Sequence, residues 1–218
     1  MYKTRHAWLF LLVPGIFILT FTLIPAVAAL ALSFTNYNVF TPVNWIWFEN
    51  YTKLFQDAQF WSAMRNTIVY WLLVTPALSI LAVFLAVLVN RQVRGISIYR
   101  LIYYFPVLIS VVVTAMLWKW MFQEEGIINY GLSLIGISPV KWLTSRSTVL
   151  PSLAIVTIWQ GLGYYMLFYL AGLQSISNEL YEAADIEGAG FWKKQFYITF
   201  PLLKPVIFFV VVVSTMSA

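Results

Sequence analysis

Apolar residues in this chain occur in long unbroken runs, not at the alternating or three-and-four spacing of half-buried strands and helices. A helix that crosses a membrane needs about 20 mostly apolar residues. Four runs qualify: 7–32, uncharged throughout; 66–90, just after Arg65; 101–118, closed by Lys119; and 148–176, whose surplus length places its ends at the interface. A fifth run, 205–218, has 14 residues, and "VIFFVVVVSTMSA" carries no stop signal. Either it is a re-entrant piece or the chain ends within a fifth span, and the absence of a stop signal favours the second. The first run has Lys3 and Arg5 before it and "AVA" at 26–28, as a signal peptide would, but its apolar part exceeds the usual 7–15 residues. The pattern predicts an all-α, polytopic helical bundle in a membrane, organised as one domain over 1–218 without repeats or linkers.

Composition agrees. The chain is 61% hydrophobic and 10% charged, against about 25% charged in average soluble domains. A soluble fold of this size could not hide so much apolar surface. With no cysteine and one histidine, His6, thiol chemistry and His-based triads or clusters are excluded within this chain. Basic residues set orientation. Lys3, Arg5, Arg91, Arg94, Arg100, Lys193, Lys194 and Lys204 fall on one side if the first four runs alternate, eight of the 13 Lys and Arg. Lys53, Arg65, Lys119, Lys141 and Arg146 fall on the other, diluted by Glu49, Asp57, Glu124 and Glu125. The bias predicts a cytoplasmic N-terminus. The aromatic stretch "NWIWFENY", 44–51, reads as an interfacial belt or as a docking surface for an external partner. The segment 124–136 reads as a short amphipathic helix lying on the outer surface.

No predicted span contains Asp or Glu, the residues that mark ion pathways and proton relays. Energy for uphill transport would therefore enter elsewhere. The fourth run has an unusual centre, "IWQGLGYYMLFYLAGLQ". Its glycines let helices approach closely. Gln160 and Tyr164 are four apart and share a face; with Trp159 and Tyr165 they form a candidate path for a polar solute, and flat aromatic faces with amide and phenol groups suit sugars. Plain helix packing, with Gln160 bonded to a neighbour, is the alternative. Asn66 and Thr67 in the second run, and Ser110 and Thr114 in the third, are weaker candidates of the same kind.

The charged interruption "SISNELYEAADIEGAG" predicts a short cytoplasmic helix. Ser177 or Asn178 can cap it, Glu179 and Glu182 suit its first turns, and Gly188 or Gly190 can end it. Ala184 and Gly188 are four apart with Ala183 beside them, a nearly bare face. It serves either to dock another protein or to pack on the helix's own bundle. A further helical stretch, 191–200, is expected, with Pro201 and Pro205 marking the turn into the fifth span.

This loop resembles the signature of transmembrane subunits of binding-protein-dependent ABC importers: EAA, three residues, Gly, nine residues, Ile, one residue, Leu-Pro. Glu182, Ala183, Ala184, Gly188, Ile198 and Pro201 stand at those spacings. The chain departs at Phe200, where the pattern has Leu, and at Glu187, where sugar importers usually have Asp before Gly188 and Ala189. "LVPGIFILTFTLIPAVAALALSFTNY", "NTIVYW", "FPVLISVVVTAMLWKWMF" and "LAGLQSISNELYEAA" extend the resemblance to the carbohydrate branch, of the maltose and glycerol-3-phosphate type, over essentially the whole chain. The resemblance implies a MetI-like permease fold of at least six spans, of which this chain covers about five, in a bacterial cytoplasmic membrane. It implies an ATPase subunit dimer holding ATP and magnesium, a second homologous permease, and an external sugar-binding protein as partners. It implies no catalysis in this chain and no nucleic acid. In that family the cytoplasmic helix, with Glu182 to Ala184, Gly188, Ala189, Ile198 and Pro201, couples to the ATPase. No span centre carries a cation, which favours a neutral sugar. The rival reading is an ATP-independent carrier or channel for a polar solute.

Overall fold

A computed structural model describes residues 4–90 and 94–217, with side chains from Phe10 onward. Lys3 and Arg91, both used in the charge argument, lie outside the described residues, as do the side chains of Arg5 and His6. Expected as one domain, the chain divides into two compact units, Met1–Met64 and Arg65–Ala218.

The first unit opens with α1 (Thr4–Ile18), a five-residue π-turn (Leu19–Leu23) and α2 (Ile24–Leu32). Phe10–Leu32 is 23 residues of mean hydropathy 2.3, none of it buried. A helix apolar on every side and covered on none requires lipid around it. The π-turn has a local cause. Pro25 follows it, lacking an N–H and bringing its ring against the carbonyl four residues back. Widening that turn, so that Ile24 N–H bonds to the Leu19 carbonyl, makes room without breaking the helix. After α2, Asn50 donates to the carbonyls of Ser33 and Thr35, both at 2.9 Å, and ties a loop to α3 (Glu49–Gln56). Phe34, Phe48 and Tyr51 pack around that tie with ring centroids 5.4 to 6.0 Å apart.

In the second unit, α4 (Ala58–Val89), α8 (Val149–Gln174) and α11 (Phe200–Ser217) form the core. α4 begins eight residues before the expected boundary at Asn66, because Arg65 sits within the helix and does not end it. The third predicted span is not one straight helix. α5 (Ile96–Tyr104) passes into a tight 3₁₀ turn, Phe105–Leu108, and then α6 (Val111–Met121) leaves at 97°. Pro106 removes a helical donor, and Ile109 and Ser110 are extended, so the i to i−4 ladder cannot be continued. α7 (Ile127–Leu134) is the short helix expected at 124–136. Asn129 anchors it: its amide donates to the Gln123, Glu124 and Val140 carbonyls and accepts from Val140 N–H and the Trp142 indole.

α8 (Val149–Gln174) matches the fourth run. α9 (Asn178–Ile186) is the short helix expected within 177–190. The fifth run differs most from expectation. α10 (Phe191–Lys194), a π-turn (Gln195–Thr199) and α11 (Phe200–Ser217) form a single helical run, Phe191–Ser217, of 27 residues, long and apolar enough to cross. Pro201 and Pro205 do not turn the chain. The π-turn before Pro201, with Phe200 N–H bonded to the Gln195 carbonyl, repeats the device before Pro25. Ile198 and Pro201 therefore belong to this helix and not to a loop.

Along α4, Val74, Leu78, Ala82, Ala86 and Val89 are buried against Tyr165, Met166, Tyr169, Leu170 and Leu173 of α8 and Leu203 and Val210 of α11. Ala82 and Ala86 are completely covered. Polar pairs cross the same interfaces: Ser79 with the Tyr169 hydroxyl at 2.6 Å, Tyr70 with Thr157 at 2.6 Å, and the Trp71 indole donating to Thr215 at 2.8 Å. Glycines of α8 set the rest. A Cβ at Gly163 would lie 2.1 Å from the Tyr103 carbonyl oxygen, and one at Gly172 2.8 Å from Val206 and 2.9 Å from Leu203.

Candidate functional site

Two features stand out in the second unit, a platform on α9 and a cavity among α4, α8 and α11. Ser177 caps α9 by accepting from Glu179 N–H. Its other end is a Schellman motif: Ala189 N–H bonds to the Ala184 carbonyl at 2.8 Å and Gly188 N–H to the Asp185 carbonyl at 3.0 Å. That closure needs a left-handed residue, and Gly188 has φ +73°. The inner side of α9 rests on the start of the last helical run. Tyr181 hydroxyl meets Thr199 Oγ1 at 2.9 Å, and Lys194 Nζ meets Asp185 at 2.6 Å.

The outer side of α9 presents Glu179, Glu182, Ala183 and Ile186. Ile186 is 90% exposed. Ala184 is half-buried, so the bare face lies one residue round the helix from the one expected through Ala184 and Gly188. Ala189 is half-buried at the closure, Ile198 is half-buried in the π-turn, and Pro201 is exposed. The coupling candidates therefore divide. Glu182 and Ala183 are on the outer face, Gly188 and Ala189 shape its end, and Ala184, Ile198 and Pro201 sit elsewhere. Ile186 escaped the sequence reading because an apolar residue beside a motif carries no signal until the inner face is known.

The cavity has a volume of about 290 Å³. Thr157, Gln160, Tyr164 and Tyr165 line it from α8, and Ser214 and Ser217 from α11; no charged residue lines it among the described residues. Gln160 donates to the Ile109 carbonyl at 3.3 Å, satisfying an acceptor that the broken third segment leaves free. Tyr165 hydroxyl lies 3.5 Å from Ser217 Oγ, and the Tyr164 ring stands edge-on to Tyr165 at 5.3 Å. Three of the seven pathway candidates, Gln160, Tyr164 and Tyr165, are brought together here. Trp159 packs instead on Trp118 at 5.6 Å. Thr114 is buried away from this cavity, while Asn66 and Ser110 are exposed outside it. Ser214 and Ser217 were missed although they stand three apart, because their run looked too short to count as a span.

The second unit thus combines a broken apolar helix pair, an uncharged cavity lined by apolar and hydroxyl, phenol and amide groups, and a short charged helix. Residues 79–218 match the family described as binding-protein-dependent transport system inner membrane component. The chain belongs to that family. Among similar permeases, the Probable ABC transporter permease protein YesP of Bacillus subtilis (strain 168) is 38% identical over 203 residues, 92% of this chain and 65% of YesP. The lactose transport system permease protein LacF of Rhizobium radiobacter is 33% identical over 220 residues, 99% of this chain and 73% of LacF. The crystal structure of a bacterial ABC transporter involved in the import of the acidic polysaccharide alginate aligns with a TM-score of 0.83 at 29% identity, covering 97% of this chain and 72% of that one. This permease thus spans about two thirds to three quarters of these relatives, and is a multi-pass membrane protein.

Proposed function

We propose that this permease is the transmembrane subunit of an ATP-driven importer of neutral sugars, and that it couples to a separate ATPase through α9. The observation that carries the reading is the exposed face of Glu182, Ala183 and Ile186 on a helix capped at both ends and anchored to a spanning helix. A small residue between a carboxylate and an apolar side chain suits insertion into a protein cleft that offers a basic partner and an apolar wall. ATP and magnesium belong to that partner, and this chain performs no catalysis. A second, homologous permease supplies the other half of the pathway, and an external sugar-binding protein delivers substrate. The relatives are named for lactose and for arabinooligosaccharides, and a related structure holds an alginate-binding periplasmic protein. The uncharged cavity, which sets amide, phenol and hydroxyl groups among Val74, Leu78 and Val107, favours a neutral saccharide over the acidic one of that structure. The N-terminus and α9 face the cytoplasm of a bacterial inner membrane on this reading.

The chain has no cysteine, so a thiol at Ala183 is unique within it. Cross-linking of Ala183→Cys to a single cleft cysteine in the cognate ATPase, in inside-out vesicles, tests the reading. A cross-link whose yield changes with ATP is expected. No cross-link with α9 shown to face the cytoplasm would refute ATPase docking and leave the ATP-independent carrier.

A further inference from the structure

The last helical run, Phe191–Ser217, spans about 40 Å at 1.5 Å per residue. One end lies under α9 and the other supplies Ser214 and Ser217 to the cavity. It links the two features as one helical run, whose α-helical bonding is interrupted by Pro205 and, next to α9, by the π-turn Gln195–Thr199. A π-turn widens the helix locally and often marks a functional joint. Force applied to α9 would be absorbed there unless something holds it.

Two contacts do. Lys194, at the near edge of the π-turn, pairs with Asp185 at 2.6 Å. Thr199, its last residue, is 1% exposed and bonds the Tyr181 hydroxyl at 2.9 Å. Both partners lie on α9, four residues apart, so they sit on one face of it. α9 therefore lies along the π-turn as a splint, touching it at both ends. The two contacts differ in weight. The Asp185 side chain is 62% exposed, and an ion pair that wet contributes little. Thr199 is buried; losing its hydroxyl strips Tyr181 of this partner, and losing the Tyr181 hydroxyl leaves Thr199 only a long 3.4 Å bond to the Lys194 carbonyl.

We propose that Tyr181 and Thr199 are positioning residues that lock α9 to the last helix across the π-turn, so that a displacement of α9 reaches the cavity end. The inference rests on the ATPase-docking reading above. Neither residue lies on the outer face of α9 or in the cavity lining.

The test uses the permease assembled with its partner subunits in proteoliposomes, with Met216→Cys carrying an environment-sensitive fluorophore. Met216 is 84% exposed near the cavity end of α11. The signal is compared without nucleotide and with ATP plus vanadate. In the parent protein the fluorescence shifts between the two states. Tyr181→Phe and Thr199→Val each reduce that shift at least threefold, while ATPase association and ATP hydrolysis stay within twofold. Thr199→Ser, which keeps the hydroxyl, restores it, and the double variant is no worse than either single one. An unchanged shift in both single variants would overturn the lock. So would a Thr199→Ser protein as impaired as Thr199→Val, since the methyl and not the hydroxyl would then matter. A parent protein that binds the ATPase but shows no shift overturns it too. Failure of the parent to bind the ATPase strikes instead at the proposed function.

Discussion

Gly163 offers a sharp test of how the broken third segment is held. In α8 it faces the end of α5, where a Cβ would lie 2.1 Å from the Tyr103 carbonyl oxygen, 2.8 Å from its carbon and 2.7 Å from Tyr104 Cα. All three are backbone atoms, so no side chain can rotate away. Carbon contacts are comfortable at about 3.5–4.0 Å, so Gly163→Ala must push α5 and α8 apart by about 1 Å. Overpacking of this kind costs about 3 kcal/mol at the upper end of its usual range. Alanine returns up to about 1 kcal/mol by its better helix propensity, leaving about 2 kcal/mol. At about 2–4 °C per kcal/mol for chains of this length, the unfolding midpoint should fall by about 4–8 °C. Gly161, two residues away, is the control. A Cβ there meets only Tyr165 and Leu78 side-chain atoms at 3.4–3.6 Å, so Gly161→Ala should shift the midpoint by no more than about 2 °C. The assay is thermal unfolding of the detergent-purified protein followed by circular dichroism. Equal midpoints for the two variants, or a Gly163→Ala protein as stable as the parent, would refute the close approach.

Three further outcomes follow from the same geometry. Gly188→Ala places a side chain at φ +73° in open space, costing about 1–2 kcal/mol of strain alone; amide exchange of Gly188 and Ala189 should speed up about fivefold or more, and unchanged exchange would contradict the helix closure described. Ser79→Ala removes the 2.6 Å partner of a fully buried Tyr169 hydroxyl and should destabilise by about 1–2 kcal/mol, read as a lower midpoint in the same unfolding assay; adding Tyr169→Phe should cost little more, and full additivity would show that the two do not interact. Ser214→Phe fills a cavity of about 290 Å³ and should abolish binding-protein-dependent sugar uptake in vesicles while ATPase cross-linking at Ala183→Cys persists; normal uptake would remove the cavity from the pathway.

What the sequence made legible, and what it hid, divides along physical lines. Run length exposes spans because lipid tolerates no unpaired backbone for about 20 residues, and that sufficed for the first, second and fourth runs. It says nothing about continuity within a run. Pro106 breaks the third segment, whereas Pro14, Pro76 and Pro205 are carried inside helices. Proline spacing alone does not separate the cases. The break after Pro106 leaves the Ile109 carbonyl to a distant donor, Gln160, 51 residues away. The i, i+4 pair Gln160 and Tyr164 was legible as a face because it depends on α8 alone. Which side of α9 is exposed was not, since it depends on Tyr181 meeting Thr199.

The two π-turns carry this argument furthest. Each occupies the five residues before a helical dipeptide whose second member is proline, Ile24-Pro25 and Phe200-Pro201. In each, the residue before proline bonds to a carbonyl five back. The shared cause is local, the missing N–H and the ring of proline. The consequences are not shared. Leu19–Leu23 is apolar apart from Thr20 and Thr22, and every one of its residues is exposed. Gln195–Thr199 has Gln195 and Thr199 buried, and the Gln195 amide oxygen finds no partner. A local sequence rule thus produces the same backbone twice, and only the second is covered by its surroundings. Gln195 and Thr199 border a cavity of about 240 Å³ with Asn90 and Asn178, so the π-turn under α9 is held by packing where the first is bare. Replacing Pro201 with alanine removes the reason for that turn. Pro201→Ala should let residues 195–199 revert to regular α-helix, raise the unfolding midpoint, and lengthen the Tyr181 to Thr199 contact beyond hydrogen-bonding reach.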